Sequence, residues 1–534
     1  MKLKLSPNVR LLLALLIIEF LVLFLISPLL QDGLPQGIDT PFHLFSSWFL
    51  TKSLEAGTIP DINPYWYGGQ PFLKYYPPLA YYSIHFLTQI LGDVTLSYKI
   101  LTVFFFLLTP LTIYILSREF GLDKKSSLLS TFLFTSSYAY ISNISIWGRF
   151  TTHLALPFFV LTLYFLLRLQ RGGIYNAIYG GICLGVLLLL HQLTAYAFLI
   201  ILAIYLLAEV VKFFTKRDLK PFKNLAIMTG VGVLISSWWL VPFLMRINDI
   251  GFQRTIPGGF SFPMSFFWDQ IFNLASINTR VYPFYIGYTT VFLASLGAVH
   301  LLVKRRPLIV LFAAFIFLIS LGTNLKSFYY LPYYNNLDVA RFFLYGVILL
   351  SILCGFGFAK ILQFTRNKIL VFIMVALILL PSVNVALQSR YAIKTWQIDE
   401  SQTQALQWLR DKGEPGRAYG IGLDCWDSYL LPVYTDRSII DGWSHESAKN
   451  WRDIILLDNM ESGSELADME AYYRILKEYD AKYVLLGDHL GNHYFPKLHF
   501  MKYEEYVKLL QADRHFKEVT SFGDNIIFQV VLDE

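Results

Sequence analysis

An acidic residue, Asp39, and a histidine four positions later, His43, open a polar stretch that follows the first long apolar run of the sequence. Residues at this spacing share one face if the segment is helical. A carboxylate held beside a membrane surface can act as a general base or bind a metal ion. The structural alternative is a helix start, with Asp39 capping the helix and His43 lying at the interface. The residue types alone leave both hypotheses open.

Three arginines, Arg149, Arg246 and Arg341, lie at the ends of apolar runs. A guanidinium group grips phosphate through paired hydrogen bonds, so arginines at a bilayer edge suit a lipid-linked phosphate. The alternative for each arginine is contact with ordinary lipid headgroups. Because charge patterning places all three on the side of Asp39, we expect an anionic-lipid site there, with Asp39 and Arg341 facing one cavity.

Further polar and aromatic residues are candidates for contacting a ligand at such a site. The abundance of Tyr and Trp among their neighbours is also typical of an interfacial aromatic belt. The candidates are Lys74, Tyr75, His153, His191, Trp426 and Asp427.

The composition is that of an integral membrane protein. Of 534 residues, 55% are hydrophobic and only 15% are charged, whereas a soluble protein carries about 25% charged residues. The net charge of +6 sits in short clusters between apolar runs, which indicates membrane orientation and not nucleic-acid binding. The three cysteines form no CxxC pair, which predicts neither a disulfide framework nor a zinc site. P-loop, GxSxG, HExxH and dinucleotide-binding motifs are missing from the sequence.

Apolar runs that are long enough to cross a bilayer predict eleven spans. The basic residues before the first run predict a cytoplasmic N-terminus. If Pro77–Leu91 does not span, every later basic cluster is also cytoplasmic, so we interpret it as a juxtamembrane or re-entrant helix of a large first outer loop, residues 31–96. The predicted membrane domain covers residues 1–388 of a plasma-membrane protein. The predicted spans are 11–30, 97–116, 126–145, 154–169, 174–191, 193–214, 222–244, 283–303, 306–322, 341–362 and 368–388.

After about Gln388 the sequence becomes polar. Residues 389–534 are predicted to form an extracytoplasmic α/β domain of about 145 residues. Amphipathic helix patterns and short strand-like runs alternate in this part of the chain. The helix patterns lie near 400–411, 464–479 and 503–512, and the strand-like runs are Ala418–Ile421, Lys482–Leu486 and Asn525–Leu532.

The stretch Gly37–Tyr82 resembles the first outer loop of GT-C-type membrane glycosyltransferases. More narrowly, it resembles prokaryotic membrane proteins labelled "6-pyruvoyl-tetrahydropterin synthase-related". The matching features are the acid-x-x-x-His start, the turn Gly57–Pro60 and the YPPL segment at Tyr76. The segment WGRFTTHLALPF and the single arginine, Arg341, at the head of a late span fit the same pattern.

A second, distant resemblance involves Cys425–Trp443, which is similar to the start of the soluble domain in oligosaccharyltransferase catalytic subunits. A WWD-type motif binds acceptor peptide there, whereas a single tryptophan precedes Asp427 here. The paired acids of metal-dependent GT-C members are also missing, because Thr40 follows Asp39. The cofactor alternatives are therefore none, or a divalent metal (Mg or Mn) held by Asp39.

The resemblance implies a multi-pass α-helical membrane protein of GT-C type with about eleven transmembrane helices and a C-terminal soluble α/β domain. It implies a glycosyltransferase of hexosyltransferase type, with a polyprenyl-phosphate or polyprenyl-diphosphate sugar as donor and transfer on the non-cytoplasmic side. Asp39 takes the role of the catalytic acidic residue, with His43 as its catalytic neighbour, and Arg341 that of donor-phosphate ligand, together with Arg149 and Arg246. The polar and aromatic candidates named above take the role of acceptor or sugar ligands. The expected partners are the lipid-linked donor, membrane lipids and an acceptor that is a glycan, lipid or protein, without nucleic acid. The alternatives are a transporter or flippase of lipid-linked sugars and a non-catalytic membrane assembly protein.

Overall fold

The structure is a computed structural model in which a bundle of apolar helices is followed by a part that contains a four-stranded sheet. It describes residues 6–171, 173–246, 264–273, 284–320, 331, 337–364, 368–423, 425–443, 453, 457, 469–488 and 503–531.

Fifteen helices make up the bundle within the described residues, and their apolar composition follows the predicted runs. Seven of them (α1, α4, α7, α9, α10, α14 and α15) are long and apolar enough to cross a membrane, and α8, α12 and α13 are shorter apolar helices. The 3-10 turns Ser27–Leu30 and Val339–Phe342 extend α1 and precede α14. The helices are α1 (Pro7–Ile26), α2 (Thr40–Glu55), α3 (Leu79–Leu91), α4 (Val94–Glu119), α5 (Lys124–Thr135), α6 (Tyr138–Ser145), α7 (Phe150–Arg168), α8 (Ile174–Leu190), α9 (Gln192–Lys216), α10 (Lys220–Met245), α11 (Met264–Phe272), α12 (Tyr288–Val303), α13 (Leu308–Ser320), α14 (Phe343–Phe364) and α15 (Lys368–Tyr391).

One predicted span, residues 126–145, is not a continuous helix. It is divided into α5 and α6, because the Ser137 side chain accepts a hydrogen bond from the Tyr140 backbone N–H at 3.3 Å and so caps a new helix. The count of eleven continuous spans is therefore not confirmed.

The helix α3 occupies the region that was predicted not to cross the bilayer. It has thirteen residues, about 20 Å of helix against a hydrocarbon core of about 30 Å. Its buried residues Ala80, Tyr81, Ile84 and Thr88 recur at helical spacing and face α2 and α4. The chain thus returns from α2 to α4 through a short helix packed beside the start of α2.

Four short strands form two separate two-stranded sheets near α2, and four longer strands form the C-terminal sheet. β1 (Leu34–Pro35) pairs with β4 (Thr395–Trp396), and β2 (Ile62–Asn63) pairs with β3 (Gln70–Pro71). The sheet has the order β5-β6-β8-β7, with β5 and β6 parallel and the other pairs antiparallel. Its strands are β5 (Arg417–Ile421), β6 (Ala481–Leu486), β7 (Phe516–Phe522) and β8 (Asn525–Val530), and the neighbouring helices are α16 (Glu400–Asp411), α17 (Cys425–Thr435), α18 (Met469–Glu478) and α19 (Tyr503–Ala512).

Three of the four sheet strands, and the helices α16, α18 and α19, lie where the sequence predicts them. The strand β7 was not predicted, because most of its side chains are polar and exposed and show no apolar alternation. One cluster of buried apolar residues runs from the helix bundle into α16 and α17, and a second lies in the sheet. The division into two domains stays a prediction.

The C-terminal part contacts the bundle beside α2. The Ile439 backbone N–H donates to the Tyr65 carbonyl at 2.7 Å, and Trp66 Nε1 donates to the Tyr429 carbonyl at 3.3 Å. Asp436 forms an ion pair with Lys52 and accepts a hydrogen bond from the Tyr65 hydroxyl. These contacts place the segment after α17 beside the last turn of α2 and the connection that follows it.

Candidate active site

Asp39 is positioned by backbone hydrogen bonds to the turn between α6 and α7. The Ile38 N–H donates to the Ile146 carbonyl at 3.0 Å, and the Asp39 N–H donates to the Trp147 carbonyl at 2.9 Å. Asp39 occupies the cap position of α2, but its side chain accepts no capping hydrogen bond. Asp39 therefore stands at the start of the helix, as the structural alternative expects, but its side chain does not cap the helix.

Two glycines allow this close approach of backbones. A Cβ on Gly37 would lie 2.6 Å from Gly148 Cα, and a Cβ on Gly148 would lie 2.6 Å from the Thr40 hydroxyl oxygen. Gly148 also has a φ of +61°, in the left-handed region that favours glycine. The turn before α7 can therefore carry no side chain where it meets α2.

Replacing Gly148 by alanine should destabilise the protein by about 2 kcal/mol, because the new Cβ meets backbone and adds φ strain. Thermal unfolding in detergent measures the effect. Gly230→Ala is the matched control, since Gly230 lies within α10 with no atom near its Cβ position. This control should unfold at the wild-type temperature or slightly above it. Equal unfolding temperatures for Gly148→Ala and the wild type would contradict the close packing.

Two acids and two arginines alternate beside the start of α2. Asp39 Oδ2 lies 3.7 Å from Arg341 Nη2, and Arg341 Nε donates to Asp338 Oδ2 at 2.8 Å. The same Asp338 oxygen lies 4.0 Å from Arg149 Nη2. Arg149 and Asp338 are each 4% exposed, whereas Arg341 is 23% and Asp39 17% exposed. The cluster thus presents Arg341 and Asp39 outward, with Asp338 and Arg149 behind them.

The C-terminal part contributes a residue to this cluster. Trp443 Nε1 donates a hydrogen bond to Asp39 Oδ1 at 3.3 Å. The Trp443 ring packs edge-on against Tyr429 of α17, with centroids 5.5 Å apart. Asp39 is therefore held from two sides, by Arg341 of the bundle and by Trp443 of the C-terminal part.

His43 lies one turn into α2 and is buried. Its Nδ1 forms a hydrogen bond with the Tyr81 hydroxyl of α3 at 2.9 Å. Burial lowers the pKa of His43 from 6.5 to about 4, while the Asp39 carboxylate acts in the opposite direction. His43 is therefore neutral near pH 7 and supports α2 without carrying a charge.

Acidification should lower the free energy of unfolding, because His43 is held neutral in the folded protein. Between pH 6.5 and about 4 the unfolded chain binds a proton that the folded protein does not. Stability therefore falls as the pH falls, by about 1 kcal/mol per pH unit. We expect the unfolding temperature of His43→Gln to depend less on pH across this window than that of the wild type. Parallel pH profiles would contradict a neutral buried His43.

The other predicted residues of the loops do not join the cluster. Arg246 is exposed at the C-terminal end of α10, and within the described ranges it forms no ion pair. Lys74 forms an ion pair with Asp61 at 2.7 Å, and Tyr75 beside it is partly buried. Trp426 and Asp427 lie in α17, and their side chains are outside the described residues. The binding roles of these residues stay predictions.

The two candidate histidines of the bundle are buried. His153 lies between the rings of Phe106 and Tyr140, with centroids 3.9 and 5.7 Å from its own. His191 caps α9 through Thr194. Both rings support the helices around the cluster and expose little surface to a substrate.

The sequence reasoning missed Asp338 and Trp443. Asp338 precedes Arg341 by three residues, so the i,i+3 spacing of an acid and an arginine was a local signal for it. Trp443 is 404 residues from its partner Asp39. No local pattern could have connected these two residues.

The described side chains that contact Asp39 do not offer the ligands of a divalent metal. The neighbours that contact its carboxylate are a guanidinium and an indole N–H, which are hydrogen-bond donors, whereas Mg²⁺ and Mn²⁺ take oxygen ligands. No group of three or more His, Cys, Asp or Glu side chains that could hold a metal occurs among the described residues.

Several solved structures share this fold. Arabinofuranosyltransferase AftD from Mycobacteria aligns with a TM-score of 0.68 and 14% identity over 99% of this chain. The chain spans only 40% of AftD's length. The oligosaccharyltransferase AglB from Archaeoglobus fulgidus, in complex with an inhibitory peptide and a dolichol-phosphate, has a TM-score of 0.60 and 15% identity over 90% of this chain and 70% of its own. ArnT from Cupriavidus metallidurans has a TM-score of 0.57 and 12% identity over 98% and 99% of the two chains.

At these identities the similarity concerns the fold alone, and the structural neighbours that share it are GT-C glycosyltransferases. No curated protein matches the sequence. Residues 73–389 match the family described as "6-pyruvoyl-tetrahydropterin synthase related domain; membrane protein". This match covers more than half of the chain, and the chain therefore belongs to the 6-pyruvoyl-tetrahydropterin synthase related family of membrane proteins.

Proposed function

We propose that the protein transfers a sugar from a polyprenyl-phosphate-linked donor to an acceptor on the extracytoplasmic face of the plasma membrane. The observation that carries this proposal is the contact of Asp39 with Arg341 at the start of α2, 3.7 Å apart and both partly exposed. A base for an acceptor hydroxyl and a cation for a leaving phosphate are then adjacent. The likeness of fold to AftD, AglB and ArnT supports this reaction class.

Asp39 acts as the general base. As the bond between the sugar and the phosphate oxygen breaks, the acceptor hydroxyl attacks the sugar and its proton passes to the Asp39 carboxylate. Base assistance of this kind contributes roughly 10²–10⁴-fold to the rate. The indole N–H of Trp443 orients the carboxylate through its other oxygen, Oδ1.

Arg341 neutralises the charge that develops on the leaving phosphate. Its Nε is held by Asp338, so its Nη groups extend toward Asp39 and the exposed side of the cluster. Arg149 lies behind, with its guanidinium stacked 4.5 Å from the Trp147 ring centroid. Preorganised donors of this kind stabilise a transition state without reorganisation at the moment of reaction.

The C-terminal part covers the site and contributes to the choice of acceptor. The segment from α17 to Trp443 lies over α2 through the contacts of Ile439 and Asp436, and its last residue reaches Asp39. An acceptor must therefore approach between this segment and the membrane end of the bundle. Polyprenyl lipid enters from the bilayer, and the basic clusters at the opposite loops orient the N-terminus to the cytoplasm.

The test compares lipid-linked sugars and glycoconjugates by mass spectrometry in cells with and without the protein. We expect one lipid-linked sugar to accumulate and one glycoconjugate to disappear when the protein is absent. Unchanged profiles of both would contradict the proposal. Movement of the lipid across protein-containing vesicles without any transfer product would indicate a flippase instead.

A further inference from the structure

The short helix α3 carries apolar side chains on two opposite faces. One face is buried against the bundle through Ala80, Tyr81 and Ile84. The Tyr81 hydroxyl on this face forms its hydrogen bond with His43 of α2 at 2.9 Å. These contacts fix the rotation of α3 about its own axis, so the opposite face points away from the bundle.

Phe86 and Ile90 lie on this outward face, four residues apart and therefore side by side. Their side chains are 70% and 65% exposed, and Tyr82, one turn earlier on the same face, is partly buried. A helix that faces water on its outer side carries charged and polar residues there. No Asp, Glu, Lys or Arg occurs in α3, so covering the outward face would remove no charge from water.

The longer polar side chains of α3 form hydrogen bonds with α2. His85 Nδ1 lies 3.3 Å from the Thr51 hydroxyl oxygen, and Gln89 Nε2 donates to Glu55 at 2.9 Å. Gln89 and Glu55 are exposed, so they form a polar flank beside the apolar face. An apolar face next to a polar flank is the arrangement of a helix that lies at the boundary between water and hydrocarbon.

The apolar face of α3 is continuous with the exposed face of α10, which is long and apolar enough to cross a membrane. The Tyr82 ring lies 6.4 Å from the ring of Trp238. Trp238 and Leu234, one turn apart on α10, are 55% and 74% exposed. Trp238 stands about 10 Å before the end of α10 at Met245. The first turn of α3 therefore lies level with the last turns of a membrane span, where tryptophan is typical of the bilayer interface.

We propose that Tyr82, Phe86 and Ile90 form a docking surface for the acyl chains of the leaflet on the side of the candidate site. The helix enters this leaflet beside Trp238 and leaves it at Gly92, whose φ of +74° turns the chain toward α4. Helices associate within membranes mainly through small residues and interhelical hydrogen bonds. The three side chains of this face are bulky, which favours lipid over a second copy of the chain as the occupant.

Docking of α3 would also hold the candidate site at a fixed depth. The buried face of α3 is bonded to His43, which lies one turn after Asp39 in α2. Lipid on one face of α3 and the start of α2 on the other are thus joined by a single rigid helix. This surface would serve a transferase, a transporter or a structural protein alike.

The experiment measures how often a nitroxide label collides with oxygen and with a nickel chelate, in full-length protein reconstituted into phosphatidylcholine vesicles. Oxygen dissolves in hydrocarbon, whereas the chelate stays in water. The label is attached at Phe86→Cys and, separately, at Ile90→Cys, in protein that also carries Cys425→Ser. Cys183 and Cys354 are buried, and protein without an added cysteine provides the blank.

Two exposed apolar residues outside α3 are the references. Leu234→Cys reports lipid at α10, and Ile59→Cys reports the loop between α2 and α3, where Ile59 is 78% exposed. We expect the ratio of oxygen to chelate collisions at Phe86 and Ile90 to exceed the ratio at Ile59 about tenfold or more, because a polar chelate is excluded from hydrocarbon. The ratio at Leu234 gives the value for full contact with lipid.

Either of two results would overturn the inference. A ratio at Phe86 and Ile90 equal to that at Ile59 would place the outward face of α3 in water. Spin–spin broadening that disappears when labelled protein is diluted with unlabelled protein would place a second copy on this face instead of lipid. If Phe86→Cys fails to insert into the vesicles, Ile90→Cys carries the test with the same references.

Discussion

Replacing Asp39 by asparagine should reduce sugar transfer by roughly 10²–10⁴-fold, because the amide cannot take the proton of the acceptor hydroxyl. Asparagine keeps the shape of the side chain and an oxygen that can accept the Trp443 hydrogen bond. Membrane insertion and the unfolding temperature should therefore stay close to those of the wild type. The measurement is transfer from a prenyl-phosphoryl sugar by the purified protein, with binding of the donor measured in parallel.

Asp61→Asn is the matched control for this prediction. Asp61 lies in the connection between α2 and α3, and its side chain is 75% exposed and pairs with Lys74. This control should transfer sugar at the wild-type rate. An Asp39→Asn protein with wild-type transfer would remove the base from the mechanism and leave a transporter or a structural protein as the alternatives.

The conservative change Arg341→Lys should also cost about 10²-fold or more in transfer, although the charge is retained. Arg341 uses Nε toward Asp338 and Nη2 toward Asp39 at the same time. A lysine ammonium is a single point charge and cannot span both carboxylates while gripping a phosphate through two bonds. We expect kcat to fall and the donor KM to rise, measured by varying the prenyl-phosphoryl sugar at saturating acceptor.

The control for this change is Arg171→Lys. Arg171 pairs with Glu119 at 2.7 Å and is 69% exposed at the C-terminal end of α7, whereas Arg149 lies at the start of the same helix. An exposed pair contributes little, so this variant should behave as the wild type. If Arg341→Lys retained full activity, a single charge would suffice and the paired grip on phosphate would be wrong.

The local pattern of the chain was enough for most of the elements. Long apolar runs form helices such as α4, α9 and α14, because backbone N–H and C=O groups in lipid must form hydrogen bonds with each other. It failed at residues 126–145, where the Ser137 cap outweighed a continuous apolar pattern. It also failed at β7, which is stabilised by its pairing with β8 and not by an apolar face of its own.

For the candidate site, too, the sequence predicted some features and not others. The residue types and their positions at the ends of runs identified Asp39, Arg341 and Arg149, and the structure brings these three into one cluster. The same reasoning also proposed Arg246 and His153, which the structure places elsewhere. A charged residue at the end of an apolar run signals a function for that position, but it does not specify the residues that will face it.

The sequence by itself therefore determined the class of protein and the positions of most helices, and it singled out the acid of the candidate site, because hydropathy and charge are local properties of the chain. Only the tertiary structure decided that Asp338 stands between the two arginines and that Trp443 reaches Asp39 across 404 residues. The close approach of Gly37 and Gly148 fixes the position of the start of α2 beside these residues. Such contacts depend on how helices pack, and packing is a property of the whole fold and not of any one segment.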